Sequence, residues 1–134
     1  MKPHQLFTDG GARGNPGPAG AGAILRAPDG TELEAISAYL GEMTNNQAEY
    51  RALLLGLQAA IDNDVRELEV CMDSELIVKQ MKGEYKVKNP GMKELYQEAK
   101  VLVAKFDVIN FTHIRREFNS DADLLVNQAI DAHI

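Results

Sequence analysis

Three β-prone runs separated only by short links open this chain, and every later extended run follows a helical one. That order narrows the possible folds more than any other feature. Residues 5–8 form a short β-prone run that halts at Asp9-Gly10-Gly11, and a loop rich in Gly and Pro carries the chain to Gly17-Pro18. Residues 19–26 and 31–40 flank Pro28-Asp29-Gly30, a turn signal that predicts an antiparallel hairpin. Thr44-Asn45-Asn46-Gln47 has the form of a capping box, and the segment it opens, rich in Ala and Leu, predicts a helix to about Asn63. Residues 67–72 predict a strand and residues 74–82 a short helix. Asn89-Pro90 starts a helix to about Lys105, with Pro at its first position. Residues 107–113 predict a fifth strand, and Ser120 is expected to cap a last helix that reaches the C-terminus.

Strands joined by short links pair antiparallel, whereas a strand-helix-strand connection makes a right-handed parallel crossover. The order βββαβααβα therefore predicts an α/β fold: a mixed five-stranded sheet, three antiparallel strands followed by two parallel ones, flanked by helices. A length of 134 residues predicts one domain spanning 1–134 with one core. No apolar run approaches the roughly 20 residues that span a bilayer. Met1-Lys2-Pro3-His4-Gln5 lacks the apolar stretch of a secretion signal, so the expected location is cytoplasmic, away from any membrane. Cys71 stands alone, which excludes an internal disulfide and a cysteine-ligated zinc site; its apolar neighbours suit a small core residue. The net charge of −6 argues against a nucleic-acid coat that depends on overall positive charge, so any polyanion must be gripped locally.

In such sheets ligands collect beyond the carboxyl ends of the strands where the strand order reverses. This places Asp9, expected to end the first strand, beside Asp73, which follows the fourth. Either residue alone is equally well explained as a turn former or helix cap. Glu49 is harder to explain that way: at about 100° per residue it shares a stripe with Leu53, Gly56 and Ala60, opposite Arg51, Gln58 and Asp62, and so faces the sheet. A carboxylate buried there without a partner protonates or costs several kcal/mol. Asp123 falls in the first turn of the last helix, in line with Val126, Asn127 and Ile130, where the helix dipole favours an anion. Together the four make a repulsive cluster that hard divalent cations with oxygen ligands, Mg²⁺ or Mn²⁺, would neutralise. Two such ions roughly 3.5–4 Å apart generate a hydroxide, clamp a phosphate and stabilise a leaving alkoxide, so the predicted chemistry is phosphodiester hydrolysis.

Thr8-Asp9-Gly10-Gly11-Ala12-Arg13-Gly14-Asn15-Pro16-Gly17, Thr44-Asn45-Asn46-Gln47-Ala48-Glu49, Met72-Asp73-Ser74 and Asn119-Ser120-Asp121-Ala122-Asp123 closely resemble the motifs of ribonuclease H, type 1. The resemblance spans nearly the whole chain, in the family's order and spacing. It implies the ribonuclease H-like fold and a metal-dependent endonuclease that cleaves the RNA strand of RNA–DNA hybrids, leaving 3′-hydroxyl and 5′-phosphate ends. It also implies that Asp9, Glu49, Asp73 and Asp123 are the catalytic ligands of two Mg²⁺ ions, with Mn²⁺ as a substitute. Asp9 would bridge both ions, Asp123 would help hold the one that activates water, and Glu49 with Asp73 would hold the other. Gly11, Ala12 and Gly14 match a loop whose backbone approaches the RNA strand. Asn15, Asn45 and Asn46 match positions that offer amides to ribose 2′-hydroxyls and minor-groove edges. Thr44 and Asn89 match positions that grip a DNA-strand phosphate, and both equally suit helix caps.

Two departures from the family pattern bear on the site. Many relatives carry a basic, Trp-containing protrusion, but here Lys82-Gly83-Glu84-Tyr85-Lys86-Val87-Lys88 leads straight into Asn89-Pro90. Lys79, Lys82, Lys86 and Lys88 against Glu84 leave a local charge of roughly +3, which makes Lys86 and Lys88 candidates for phosphate contacts. Many relatives also place a His before the fourth carboxylate; Arg115-Arg116-Glu117-Phe118 has none, which makes Arg116 or Glu117 the expected stand-in, with His113 structural. The expected partner is the hybrid alone, bound by a monomer with no obligate protein partner. Two other readings stay open on sequence: a non-catalytic hybrid-binding module, and a nuclease of the same superfamily that acts on DNA.

Overall fold

A computed structural model of the chain describes residues 2–134. Its elements are β1 (His4–Ala12), β2 (Gly17–Arg26), β3 (Glu32–Met43), α1 (Asn45–Asp62), β4 (Glu67–Met72), α2 (Glu75–Met81), α3 (Pro90–Val103), β5 (Val108–His113), a 3-10 turn (Arg116–Asn119) and α4 (Ser120–His133). The strands form one sheet in the order β3-β2-β1-β4-β5. β1 pairs antiparallel with β2, and β2 with β3, while the β1–β4 and β4–β5 pairs are parallel. This is the expected mixed α/β sheet. Among the described residues no helix is long and apolar enough to cross a membrane.

The capping box holds: the Gln47 N–H donates to Thr44 Oγ1 at 3.2 Å, and the Thr44 N–H to Gln47 Oε1 at 3.0 Å. From that start α1 lays a stripe of small and apolar residues on one face of the sheet, where Leu53, Leu57 and Ala60 pack with Leu6, Leu68 and Val70. A Cβ on Gly56 would come within 2.9 Å of the Leu6 and Thr8 side chains, so glycine sets how closely helix and sheet approach. α4 covers the other face, and there Gly22 lies directly under the Ala122 carbonyl. Asp9 is the cross-strand partner of Gly22. Opposed residues share a face, so the strand pleat turns Asp9 toward α4.

The chain departs from expectation at four element ends. β1 does not halt at Asp9 but continues through Gly10 and Gly11, paired with Ala21 and Gly20, to Ala12. The glycines are not breakers here; a Cβ on Gly10 would collide with the Ala48 carbonyl, so the missing side chain makes room for the backbone of α1. β2 accordingly starts at Gly17, and β3 runs on to Met43 past Gly41, whose φ of 81° suits glycine. Ser120 does not cap α4. Its φ of −63° and ψ of −32° are already helical, because the 3-10 turn before it runs directly into the helix, and Asn119 occupies the cap position without capping.

The two adjacent glycines separate experimentally. Gly10→Ala must displace backbone and is expected to cost about 2–3 kcal/mol in urea unfolding. At Gly11 a Cβ would meet Val126 Cγ1 at 3.6 Å and Asn45 Oδ1 at 3.7 Å, ordinary contacts, so Gly11→Ala is expected to change stability by less than about 1 kcal/mol.

Candidate active site

Parallel register brings the first two carboxylates together. Thr8 of β1 pairs with Met72 of β4, so the next residues, Asp9 and Asp73, emerge side by side. Glu49, in the second turn of α1, reaches them from the helix and accepts the Gly10 N–H at 2.6 Å. Carboxylate oxygens of Asp9, Glu49 and Asp73 all lie within 4.8 Å of one another. Asp9 and Glu49 are buried, and Asp73 is half-buried. Burial, followed by the charges of Glu49 and Asp73, pushes the Asp9 carboxyl far above its ordinary range. Glu49 is raised mainly by burial, against the Gly10 hydrogen bond that favours its charged form. Desolvation also raises Asp73. Asp123 comes from α4 on the same face as Asp9, close enough for its hydrogen bond and charge to raise Asp9 further. It stands half-exposed beside the group of three, its carbonyl accepting from Asn127 Nδ2 at 3.1 Å.

Clustered carboxylates, two of them buried, are costly as bare anions and offer only hard oxygen donors. That all-oxygen donor set fits hard divalent cations. The Arg116 guanidinium moderates the cluster, lowering both Glu49 and Asp73. Glu117, the other expected stand-in, engages Arg115 at 3.4 Å instead.

The asparagines are organised around the β1–β2 loop. Ala12 N–H donates to Asn45 Oδ1 at 3.2 Å, and Asn45 N–H donates to Asn15 Oδ1 at 3.0 Å. Both side-chain oxygens are thus spent on tying the loop to the start of α1, and their NH₂ groups have no partner among the described residues. Gly14 turns the loop with φ of 104°, a conformation that favours glycine. Asn46 is half-buried beside them, without a side-chain hydrogen bond among the described residues. Thr44 and Asn89 both cap, Asn89 Oδ1 accepting Gly91 N–H at 2.8 Å. Each keeps a donor that the cap does not use, the Thr44 hydroxyl proton and the Asn89 NH₂.

The lysine segment is less positive than its own residues suggest. Lys79 pairs with Glu75 at 2.9 Å and Lys82 with Glu84 at 3.6 Å, which leaves Lys86 and Lys88 as the exposed lysines there without an ion pair among the described residues.

Sequence reasoning assigned no role to Asn119. It is buried, donates from Nδ2 to the Thr8 carbonyl at 2.9 Å, and its side-chain hydrogen bond favours the charged form of Asp73. It therefore ties the 3-10 turn to β1 one residue before Asp9. An Asn before a helix looks like a cap in sequence, and no local signal distinguishes the two.

Comparison with known proteins agrees with this geometry. A reverse transcriptase-like family profile matches residues 7–129. The bifunctional protein Rv2228c of Mycobacterium tuberculosis is 46% identical over 128 residues, which is 95% of this chain and 35% of that protein. Ribonuclease HI of Halobacterium salinarum is 40% identical over 128 residues, 96% of this chain and 64% of that protein. The chain thus spans between about a third and two-thirds of these relatives' lengths. The crystal structure of RNase H1 from Halobacterium salinarum superposes with a TM-score of 0.94 at 38% identity, covering 96% of this chain and 98% of that one. LC11-RNase H1, isolated from compost and crystallised in complex with an RNA/DNA hybrid, superposes with a TM-score of 0.91 at 47% identity, covering 97% of this chain and 98% of that one.

Proposed function

This chain belongs to the type 1 ribonuclease H family, in its short form without a basic protrusion, and we propose that it hydrolyses the RNA strand of RNA–DNA hybrids, leaving 3′-hydroxyl and 5′-phosphate ends. The observation that carries this reading is the cluster of Asp9, Glu49 and Asp73, with Asp123 beside it, drawn from four separate elements and next to a loop that presents asparagine amides. These four side chains would hold two Mg²⁺ ions, or Mn²⁺ in their place, which supply an activated water and stabilise the leaving oxygen. Gly10 N–H fixes Glu49 in place. Arg116 offsets negative charge at the rim, in the loop where many relatives place a histidine. The free amides of Asn15 and Asn45, with Asn46, read the RNA strand, while Gly11, Ala12 and Gly14 leave the loop backbone open to it. The remaining donors of Thr44 and Asn89 hold the DNA strand. All four carboxylates come from one chain, which supports action as a monomer.

Cleavage of an end-labelled hybrid, with Mg²⁺ and in EDTA, tests the reading. A protein that binds the hybrid but leaves it intact in Mg²⁺ is a binding module, and one that cuts duplex DNA equally well is a different nuclease.

Affinity should be modest and weakly salt-dependent, because each phosphate contact contributes a slope of about −0.9 in log affinity against log salt for B-form DNA. Reversing Lys86 and Lys88 to Glu is expected to raise KM more than it lowers kcat, since both lysines act in binding. The double variant should also flatten the salt slope. An unchanged slope in steady-state kinetics over a salt series would assign the grip to Arg13, Arg115 and Arg116.

A further inference from the structure

Of the four phenylalanines, three are covered: Phe106 and Phe111 are buried, and Phe7 lies under the Arg26 guanidinium at 5.0 Å. Phe118 is 68% exposed, more than any other large apolar side chain among the described residues except the C-terminal Ile134. An aromatic ring left in water on a mobile tail means little, but this one is held. Its N–H donates to the Arg115 carbonyl at 2.9 Å, closing the 3-10 turn. The next residue, Asn119, is buried and bonded to the Thr8 carbonyl, which immediately precedes Asp9. Phe118 is therefore anchored at the rim of the carboxylate cluster. Arg116, in the same turn, already projects its charge onto Glu49 and Asp73.

Arginines at positions 115 and 116 precede this ring. The Arg115–Glu117 pair is exposed on both sides, at 79% and 65%, and pairs of that kind contribute little, which leaves the guanidinium open to a stronger anion. A fixed, solvent-facing aromatic beside the loosely paired Arg115 guanidinium matches the chemistry of a nucleic acid backbone, whose sugars offer apolar faces and whose phosphates offer charge. A protein partner would want a wider apolar patch around the ring, whereas its neighbours in the turn are charged.

We propose that Phe118 is a substrate-contacting residue that packs its ring on the sugar face of the strand held at the carboxylates, with Arg115 pairing to a phosphate of that strand. The inference rests on the hybrid-cleaving reading and adds a specificity-determining contact to it.

Phe118→Ala, Phe118→Trp and Arg115→Ala test it, by steady-state cleavage of a hybrid and by fluorescence anisotropy of the same hybrid in EDTA. Phe118→Ala is expected to raise KM and weaken binding severalfold, up to about tenfold, with kcat within about twofold, as loss of one apolar contact on a sugar does. Phe118→Trp should keep both near wild type, and Arg115→Ala should weaken binding and flatten its salt dependence. The melting temperature of Phe118→Ala should fall by no more than a degree or two, because most of the residue stands in solvent. Unchanged KM and affinity in Phe118→Ala would overturn the proposal. So would a larger fall in melting temperature, which makes the ring structural, or the loss of self-association with unchanged KM, which makes it a contact between copies. A wild-type protein that fails to cut hybrids sinks the hybrid-cleaving reading instead, and the anisotropy arm still decides whether Phe118 touches nucleic acid.

Discussion

Asp9→Asn is expected to lower hybrid hydrolysis about a thousandfold or more, because metal-assisted chemistry supplies several kcal/mol and ~4 kcal/mol is a factor of about a thousand. Retention of more than about a tenth of the wild-type rate would contradict the assignment of Asp9 to the cations. The same substitution should not harm the fold. Burial and three neighbouring carboxylates raise the Asp9 carboxyl in the folded state, so between its ordinary value of about 4 and that raised value the folded protein binds more protons than the unfolded chain. Stability in EDTA must therefore fall as pH rises through this window. Asparagine removes one of the repelling charges, so Asp9→Asn should melt at or above wild type at pH 7.5 and show a shallower decline from acid to neutral pH. Added Mg²⁺ should raise the wild-type melting temperature more than that of the variant. A large destabilisation of Asp9→Asn in EDTA would make the carboxylate structural.

Why the fold was largely legible follows from where its signals lie. The capping box at Thr44 and the Asn89-Pro90 start are local devices, complete within a few residues, and both form as expected. The strand order follows from connection lengths, which are also local. What was not legible depends on contact between distant segments. Gly10 reads as a strand breaker until α1 is laid across it, because the need for a missing Cβ comes from Ala48. The 3-10 turn Arg116–Asn119 has only four residues, too few to show a period, and it displaced the cap expected at Ser120.

The site divides the same way. Each carboxylate is visible as a residue type in an unusual place, and the parallel crossover rule puts Asp9 and Asp73 at one sheet edge; the Thr8–Met72 register then sets them side by side. The burial of Asn119 under the cluster has no sequence signal, since its partner is a backbone carbonyl 111 residues away. The lysine segment shows a milder failure. Glu75 sits one helical turn before Lys79 and forms the ion pair that such spacing favours, but a charge sum begun at Lys79 leaves it out.

Replacing the RNA strand of the hybrid by DNA is expected to reduce cleavage roughly 10- to 2,000-fold. Asn15 and Asn45 have committed their oxygens to the loop, so what they present outward is the NH₂ donor, and a donor needs an acceptor. A 2′-hydroxyl oxygen accepts; the C2′ of deoxyribose does not. Three such contacts, counting Asn46, at about 0.5–1.5 kcal/mol each sum to roughly 1.5–4.5 kcal/mol, which gives that range of rates. The loss should fall on chemistry as well as on binding, because the loop that carries these amides is bonded to the start of α1, the helix that holds Glu49, and a misplaced strand misplaces the scissile phosphate. Single ribose substitutions along an otherwise all-DNA strand locate the effect. Cleavage should return only when ribose occupies the few positions that the asparagines reach. Asn45→Asp reverses the logic: its carboxylate still accepts the Ala12 N–H but offers no donor outward, so it should lose activity on hybrids at unchanged stability. Equal rates on hybrid and duplex DNA would show that the asparagines serve the loop alone, and would move the chain among the nucleases that act on DNA.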